Sequence, residues 1–320
     1  MKPAVLITDD VHPLLKQGLE QDGFTVDYRP AIKPEEVLEI IPGYEGLVIN
    51  SRVYAGKELI DRGTKLKFIC RAGSGLEVID TAYAAQKNIA AFNSPEGNRT
   101  AVAEHALGML LNLMNNISKA DAEIRNYEWK REENRGHELT GKTVGIIAYG
   151  HNAQAFAKVL QGFDVQVLTY DKYVQGYSNG YVKEATLQQI FESADVLSLH
   201  LPLTDETKYL VDYKFLSSFK KPIWFINISR GKVLRTADLL KCIAEGKVKA
   251  AGLDVFENEK LSTLTGEEKK VFDTLLAEKR VLLTPHVAGW THESKQKIAE
   301  VLLGKIRALY AEVLNTSPHK

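Results

Sequence analysis

Apolar residues in this chain fall into short runs separated by stretches with helical spacing. Runs at Ala4–Thr8, Gly46–Ser51, Leu66–Arg71 and Ala90–Phe92 predict strands, and the spacing over Pro13–Gln21, Pro34–Ile41 and Lys57–Arg62 predicts helices between them. Such alternation implies a parallel sheet covered by helices. A second series follows at Thr143–Ala148, Val165–Tyr170, Val196–Leu199, Ile223–Ile228, Ala250–Asp254 and Val281–Thr284, a set of the size of a dinucleotide-binding sheet. Between the series lies an apolar helix from Arg99 to about Asn116. Near the end, Glu293–Asn315 carries Ile298, Val301, Leu302, Ile306 and Leu309 as a helical stripe that must pack on something, expected to be the first domain. The expected fold is α/β with two doubly wound parallel-sheet domains, residues 1–98 with 290–320 as one and 99–289 as the other.

Composition narrows the function classes. The chain has 320 residues, 44% of them hydrophobic, and 41 Lys plus Arg balance 41 Asp plus Glu. No overall basic field exists to hold nucleic acid or an anionic membrane surface. The apolar run Ala101–Met114, broken by Glu104 and His105, falls short of the roughly 20 residues needed to cross a bilayer. The run Ala4–Ile7, closed by Asp9 and Asp10, is too short for a signal peptide. Cys70 and Cys242 lack CxxC spacing, so neither a disulfide framework nor a cysteine metal site is expected, and a reducing cytoplasm fits. The charged stretch Glu128–Glu138 reads as solvated surface.

The strand Thr143–Ala148 runs into Ala148-Tyr149-Gly150-His151-Asn152-Ala153, and Gln154–Leu160 reads as helix. This is the setting of a pyrophosphate-binding turn at a helix N-terminus. The fingerprint, however, is GxGxxG or GxGxxA, and the chain reads AxGxxA. Gly150 keeps the close backbone approach and Ala153 is an accepted variant, whereas Ala148 would cost on the order of 1–2 kcal/mol if the turn needs a left-handed residue. Asp171, about 20 residues on and just past the next strand, is placed to accept both adenosine ribose hydroxyls and to repel a 2′-phosphate, which favours NAD over NADP. The adjacent Lys172 softens that preference.

Three polar residues follow strands of the second series: Arg230, Glu259 and His286. Carboxyl ends of parallel strands face the ligand crevice. A guanidinium can hold a carboxylate by two parallel hydrogen bonds and polarise a neighbouring carbonyl. An imidazole beside a carboxylate can give a proton to a keto oxygen and take one back. The set suits hydride transfer, while a surface ion pair for Arg230, a solvated acidic string for Glu259 and a structural role for His286 are the plainer readings of each residue alone.

The segments Asn227-Ile228-Ser229-Arg230-Gly231, Gly252-Leu253-Asp254-Val255-Phe256-Glu257-Asn258-Glu259 and Thr284-Pro285-His286-Val287-Ala288-Gly289-Trp290, in this order, resemble the D-isomer-specific 2-hydroxyacid dehydrogenases, and the likeness runs from about Leu47 to Glu293. The resemblance implies a Rossmann NAD-binding domain with a flavodoxin-like substrate domain, Arg230 binding substrate, His286 as acid/base and Glu259 tuning it. It further implies that Arg71-Ala72-Gly73-Ser74-Gly75 offers backbone NH groups to the substrate carboxylate, with Ser74 also approaching the cofactor. Ala148, Gly150, His151, Asn152, Asp171, His200, Leu201, Pro202, Ile228, Ser229, Asp254, Ala288 and Gly289 would line the NAD site, Asp254 near the nicotinamide amide. Departures stand at Ala148 and at Lys260, where the family has glycine and proline.

Trp129–Leu139 looks most like short phosphoglycerate dehydrogenases, which lack an appended regulatory domain, and the chain stops soon after the returning helix. Serine biosynthesis, a homodimer built through the 99–139 region and a small 2-hydroxy or 2-keto acid as the partner follow from that likeness. Arg52 and Arg71, at strand ends, would meet the substrate phosphate. Asn50 stands where phosphate users often carry arginine, so hydroxypyruvate or glyoxylate reduction stays open. An NAD-sensing corepressor-like scaffold is the alternative from another class.

Overall fold

The computed structural model describes residues 2–316, and by contacts the chain divides into two compact units, Met1–Arg99 with Trp290–Lys320 and Thr100–Gly289. The first unit alternates β1 (Ala4–Ile7), α1 (Pro13–Gln21), β2 (Thr25–Tyr28), α2 (Pro34–Ile40), β3 (Gly46–Ile49), α3 (Lys57–Arg62), β4 (Phe68–Arg71), α4 (Thr81–Gln86) and β5 (Ala90–Phe92). All pairings in its sheet are parallel, in the order β2-β1-β3-β4-β5, the doubly wound order of flavodoxin-like sheets.

The chain continues through α5 (Pro95–Asn115) and α6 (Ile117–Arg125) to β6 (Thr143–Ile147), α7 (His151–Leu160), β7 (Gln166–Tyr170), β8 (Val182–Glu184), α8 (Leu187–Ser193) and β9 (Val196–Leu199). It then forms α9 (Tyr213–Ser217), β10 (Ile223–Asn227), α10 (Thr236–Ala244), β11 (Val248–Leu253), α11 (Gly266–Ala277), β12 (Val281–Leu283) and α12 (His292–Thr316). The second sheet, also parallel throughout, is ordered β12-β11-β10-β9-β6-β7-β8. Strand order reverses between β6 and β9, and such a switch point is where dinucleotides bind.

Local chemistry explains the boundaries. Proline opens α1, α2 and α5, where a missing N–H is no loss, so α5 starts ahead of the Arg99 expected from the apolar run. Thr186 and Gln189 form a reciprocal capping box on α8. Leu302, Leu303 and Ile306 of α12 are buried with Leu15 and Leu19 of α1 and with Val5, Ile7 and Phe68 of the sheet, in the first unit's core. The strands β6, β9 and β10 are buried along their whole length, as expected of central strands covered on both faces.

Two strands escaped the sequence reading. β2 and β8 are edge strands whose residues, Thr25-Val26-Asp27-Tyr28 and Val182-Lys183-Glu184, are largely exposed or half-buried, and they carry no apolar run. The expected strand Thr143–Ala148 ends one residue early because Ala148 has φ +69°, which a strand cannot accommodate.

Candidate active site

At the switch point the turn after β6 is built by Ala148 in the left-handed conformation. Its N–H bonds the Tyr170 carbonyl at 2.8 Å, and the turn aims the Tyr149 N–H at Asp171 Oδ2, also 2.8 Å away. Asp171 Oδ1 accepts from the amides of Tyr173 (2.8 Å) and Val174 (3.0 Å). Burial raises the Asp171 carboxyl, but these three amide bonds outweigh it and hold the group below its ordinary value. The Tyr149 ring is buried and stacks on Tyr177, centroids 4.4 Å apart, locking the turn's middle residue into the core.

Gly150 caps α7, so His151 and Asn152 lie in its first turn rather than in a preceding loop. A Cβ at Gly150 would project into open space, and among the described residues no side chain caps this N-terminus. Among the described residues, Asn152 Oδ1 and His200 Nδ1 are buried without a hydrogen-bond partner. His200 Nε2 lies 3.0 Å from Ser198 Oγ, and burial lowers the imidazole to about 3, so it stands neutral. Free helix amides, an open approach beside a glycine and two waiting polar atoms fit a dinucleotide. Leu201 and Pro202 continue the loop after β9. Among the described residues no His, Cys, Asp and Glu cluster could hold a metal.

His286 follows β12, also in the left-handed conformation at φ +57°. Its N–H donates to the carbonyls of Asp254 (2.7 Å) and Thr284 (3.1 Å). The Asp254 carboxylate, fully buried, accepts from the amides of Val287 and Ala288, each at 2.9 Å, and from the Thr284 hydroxyl. His105 of α5 lies 3.0 Å from the same hydroxyl. Asp254, expected beside the nicotinamide amide, also anchors the His286 turn through both of its oxygens. Position alone did not reveal this role.

His286 Nδ1 lies 3.0 Å from Glu259 Oε2, both side chains about half exposed. Burial raises the Glu259 carboxyl, while His286, the Phe256 backbone and Arg230 together lower it further, so it stays ionised. A carboxylate acceptor at Nδ1 leaves Nε2 for a substrate. Arg230 follows β10 in extended conformation, with one guanidinium nitrogen 2.8 Å from the Ser229 carbonyl. Asn227 braces this corner: its Oδ1 accepts from the Ser229 amide (3.1 Å) and hydroxyl (2.8 Å), and its Nδ2 donates to the Arg230 carbonyl. At Gly231 any Cβ would sit 1.8 Å from the Phe256 carbonyl oxygen, so glycine there lets the Arg230 corner and the segment leading to Glu259 meet. Ile228, Ser229 and Ala288 are buried, and Gly289 is half-buried.

In the first unit the Arg71–Gly75 loop is partly self-satisfied. The Ala72 N–H bonds the Ile49 carbonyl and the Gly73 N–H bonds the Arg71 carbonyl, both at 2.8 Å, which corrects the expectation that these two amides face a ligand. Among the described residues the amides of Ser74 and Gly75 have no acceptor, and Ser74 Oγ donates to Asn98 Oδ1 at 2.6 Å. Arg71 reaches the Gly75 carbonyl at 3.2 Å. Arg52 differs from its expected role more sharply. Its Nε lies 3.0 Å from Asp9 Oδ1, and its terminal nitrogens donate to the carbonyls of Ile32, Thr8 and Pro30. That guanidinium is a brace of the first sheet's carboxyl edge, with its charge already matched.

A doubly wound sheet with a nucleotide turn at its switch point and an imidazole–carboxylate pair at its carboxyl edge defines a dinucleotide-dependent α/β oxidoreductase. The family model of the D-isomer specific 2-hydroxyacid dehydrogenase, NAD binding domain, matches residues 107–288. D-3-phosphoglycerate dehydrogenase of Methanocaldococcus jannaschii is 31% identical over 306 residues, 95% of this chain and 56% of that protein. Hydroxypyruvate reductase of Thermotoga maritima is 32% identical over 275 residues, 86% of this chain and 88% of that protein. The fold matches a glyoxylate reductase from Paecilomyes thermophila with a TM-score of 0.85 at 24% identity, over 96% of this chain and 95% of that one. The chain thus belongs to the NAD-dependent D-2-hydroxyacid dehydrogenases, and it spans about half the length of the phosphoglycerate dehydrogenases it matches. Among the described residues no helix is long and apolar enough to cross a membrane.

Proposed function

We propose that the chain reduces a short, unphosphorylated 2-keto acid of the hydroxypyruvate or glyoxylate type to its D-2-hydroxy acid. The observation that carries the substrate choice is Arg52: its engagement by Asp9 and three carbonyls, together with Asn50, removes one cation of the expected phosphate pair. Bound NADH supplies the hydride. Arg230 holds the substrate carboxylate and polarises its carbonyl. His286 would pass the proton from Nε2 to the carbonyl oxygen, and Glu259 holds the ring by its Nδ1–H. His151, Asn152, His200, Leu201, Pro202, Ile228, Ser229, Ala288 and Gly289 line the cofactor in this reading, with Asp171 on the adenosine ribose. It also includes a homodimer using the exposed Ile117, Ile124, Tyr127 and Trp129, and a cytoplasmic location.

A second reading, oxidation of D-3-phosphoglycerate in serine biosynthesis, is favoured by the names of the relatives and by Arg71. NADH consumption with hydroxypyruvate, glyoxylate and phosphohydroxypyruvate side by side, for the native protein and His286→Ala, tests both. We expect faster turnover of the unphosphorylated acids and a loss of about 10²–10⁴-fold in the variant. Preference for the phosphorylated acid would move the chain to the second reading, and a fully active variant would remove His286 from the chemistry.

A further inference from the structure

The sequence leaves a contradiction at the adenosine end of the cofactor site. Asp171 repels a 2′-phosphate, but Lys172 beside it carries the ammonium group that would welcome one. In the structure Lys172 Nζ lies 2.8 Å from Oε2 of Glu206, which stands in the loop that follows β9. The Tyr173 hydroxyl donates to the same carboxylate oxygen at 2.6 Å, and Lys172 Nζ stands 5.3 Å from the centre of the Tyr173 ring. Glu206 therefore receives two donors from consecutive residues, 172 and 173, and the Tyr173 amide is itself held by Asp171. The loops after β7 and β9 flank the switch point, so this bridge joins two walls of one site.

We propose that Glu206 is a specificity-determining residue that enforces NAD over NADP by holding Lys172 in an ion pair and adding a second negative charge beside Asp171. An unheld lysine would be available to a 2′-phosphate, whose pairing with a cation is charge-assisted. With Glu206 in place, the dianionic phosphate meets two carboxylates and a cation already matched. Lys172 and Glu206 are 56% and 58% exposed, so their pairing adds little to stability. The consequence lies in which anion the lysine serves. The inference rests on Asp171 facing the adenosine ribose.

The test is equilibrium binding of NADH and of NADPH to the full chain, followed by nicotinamide fluorescence without substrate, for the native protein, Glu206→Gln, Glu206→Gln with Lys172→Ala, and Asp171→Asn. Glu206→Gln should shift the NADPH-to-NADH affinity ratio toward NADPH by roughly two- to fivefold, the range an exposed pair supplies. The double variant should lose most of that gain, and Asp171→Asn should also relax the ratio. An unchanged ratio in Glu206→Gln, or an equal gain with and without Lys172, overturns the proposal. If Asp171→Asn relaxes the ratio while Glu206→Gln does not, Glu206 alone is excluded. If neither does, the ribose placement of Asp171 falls as well.

Discussion

The two functional turns of the nucleotide-binding unit use one device in two settings. Ala148 after β6 and His286 after β12 are both non-glycine residues with positive φ, +69° and +57°. Each is tied by an aspartate at the end of the adjacent strand: Asp171 after β7 takes the Tyr149 amide, and Asp254 after β11 takes the amides of Val287 and Ala288. The difference is depth. Asp254 is fully buried and its oxygens serve the turn, whereas Asp171 is half-buried and faces the ligand edge. A left-handed residue costs on the order of 1–2 kcal/mol, and such strain persists where its surroundings over-determine it. At His286 a glycine would remove the imidazole to which the proposed reduction assigns the proton. At Ala148 the same strain has no chemical return, so the missing glycine is tolerated rather than used.

The comparison breaks most visibly at Asp254. Asp254→Ala leaves two amides and the Thr284 hydroxyl without their acceptor in a buried place, which should lower stability by about 3 kcal/mol and take most turnover with it. Thermal melts and NADH consumption read the two effects. A melt close to the native one would mean that the His286 turn holds itself, and that the Asp254 network follows the turn rather than fixing it.

Acid tests the Asp171 anchor, with a smaller expected effect. The Asp171 carboxyl sits below its ordinary value because three amides outweigh its burial, so the folded state binds this proton less readily than the unfolded chain. Its contribution to stability is then complete above the unfolded carboxylate range, about pH 4, and is lost as pH falls through the lower folded value. Melts from pH 7 down to about 3 should therefore fall less steeply in Asp171→Asn than in the native protein. Parallel curves would show that the amide bonds do not favour the ionised form.

These anchors also mark where the sequence stopped being informative. Central strands were legible because β6, β9 and β10 are uniformly apolar, while β2 and β8 were not, because edge positions mix exposed and half-buried residues. Glu259 and His286, 27 residues apart, were read as a pair from their places at strand ends, and the structure sets them 3.0 Å apart. Arg52 departs from the role its strand-end position predicts because its partner Asp9 lies 43 residues away, and nothing in either residue's neighbourhood announces the pair. Lys172 and Glu206, 34 apart, joined for the same reason without a local signal. Strand-end position says that a polar residue reaches the ligand edge. It does not say whether a neighbour has already matched its charge.

The smallest expected effect tests the tolerated strain directly. Ala148→Gly relieves the left-handed penalty of about 1–2 kcal/mol but restores about 0.4–1 kcal/mol of unfolded-chain freedom, so the net gain should be roughly 0.5–1 kcal/mol. The anchoring of Tyr149 by Asp171 and by its stacking on Tyr177 fixes the turn in either case, so NADH affinity should rise by no more than about threefold. A large gain in affinity would mean that alanine displaces the turn from its binding geometry. A loss of stability would mean that the surroundings have adapted to the Ala148 methyl, and that the sequence has moved away from glycine without retaining strain.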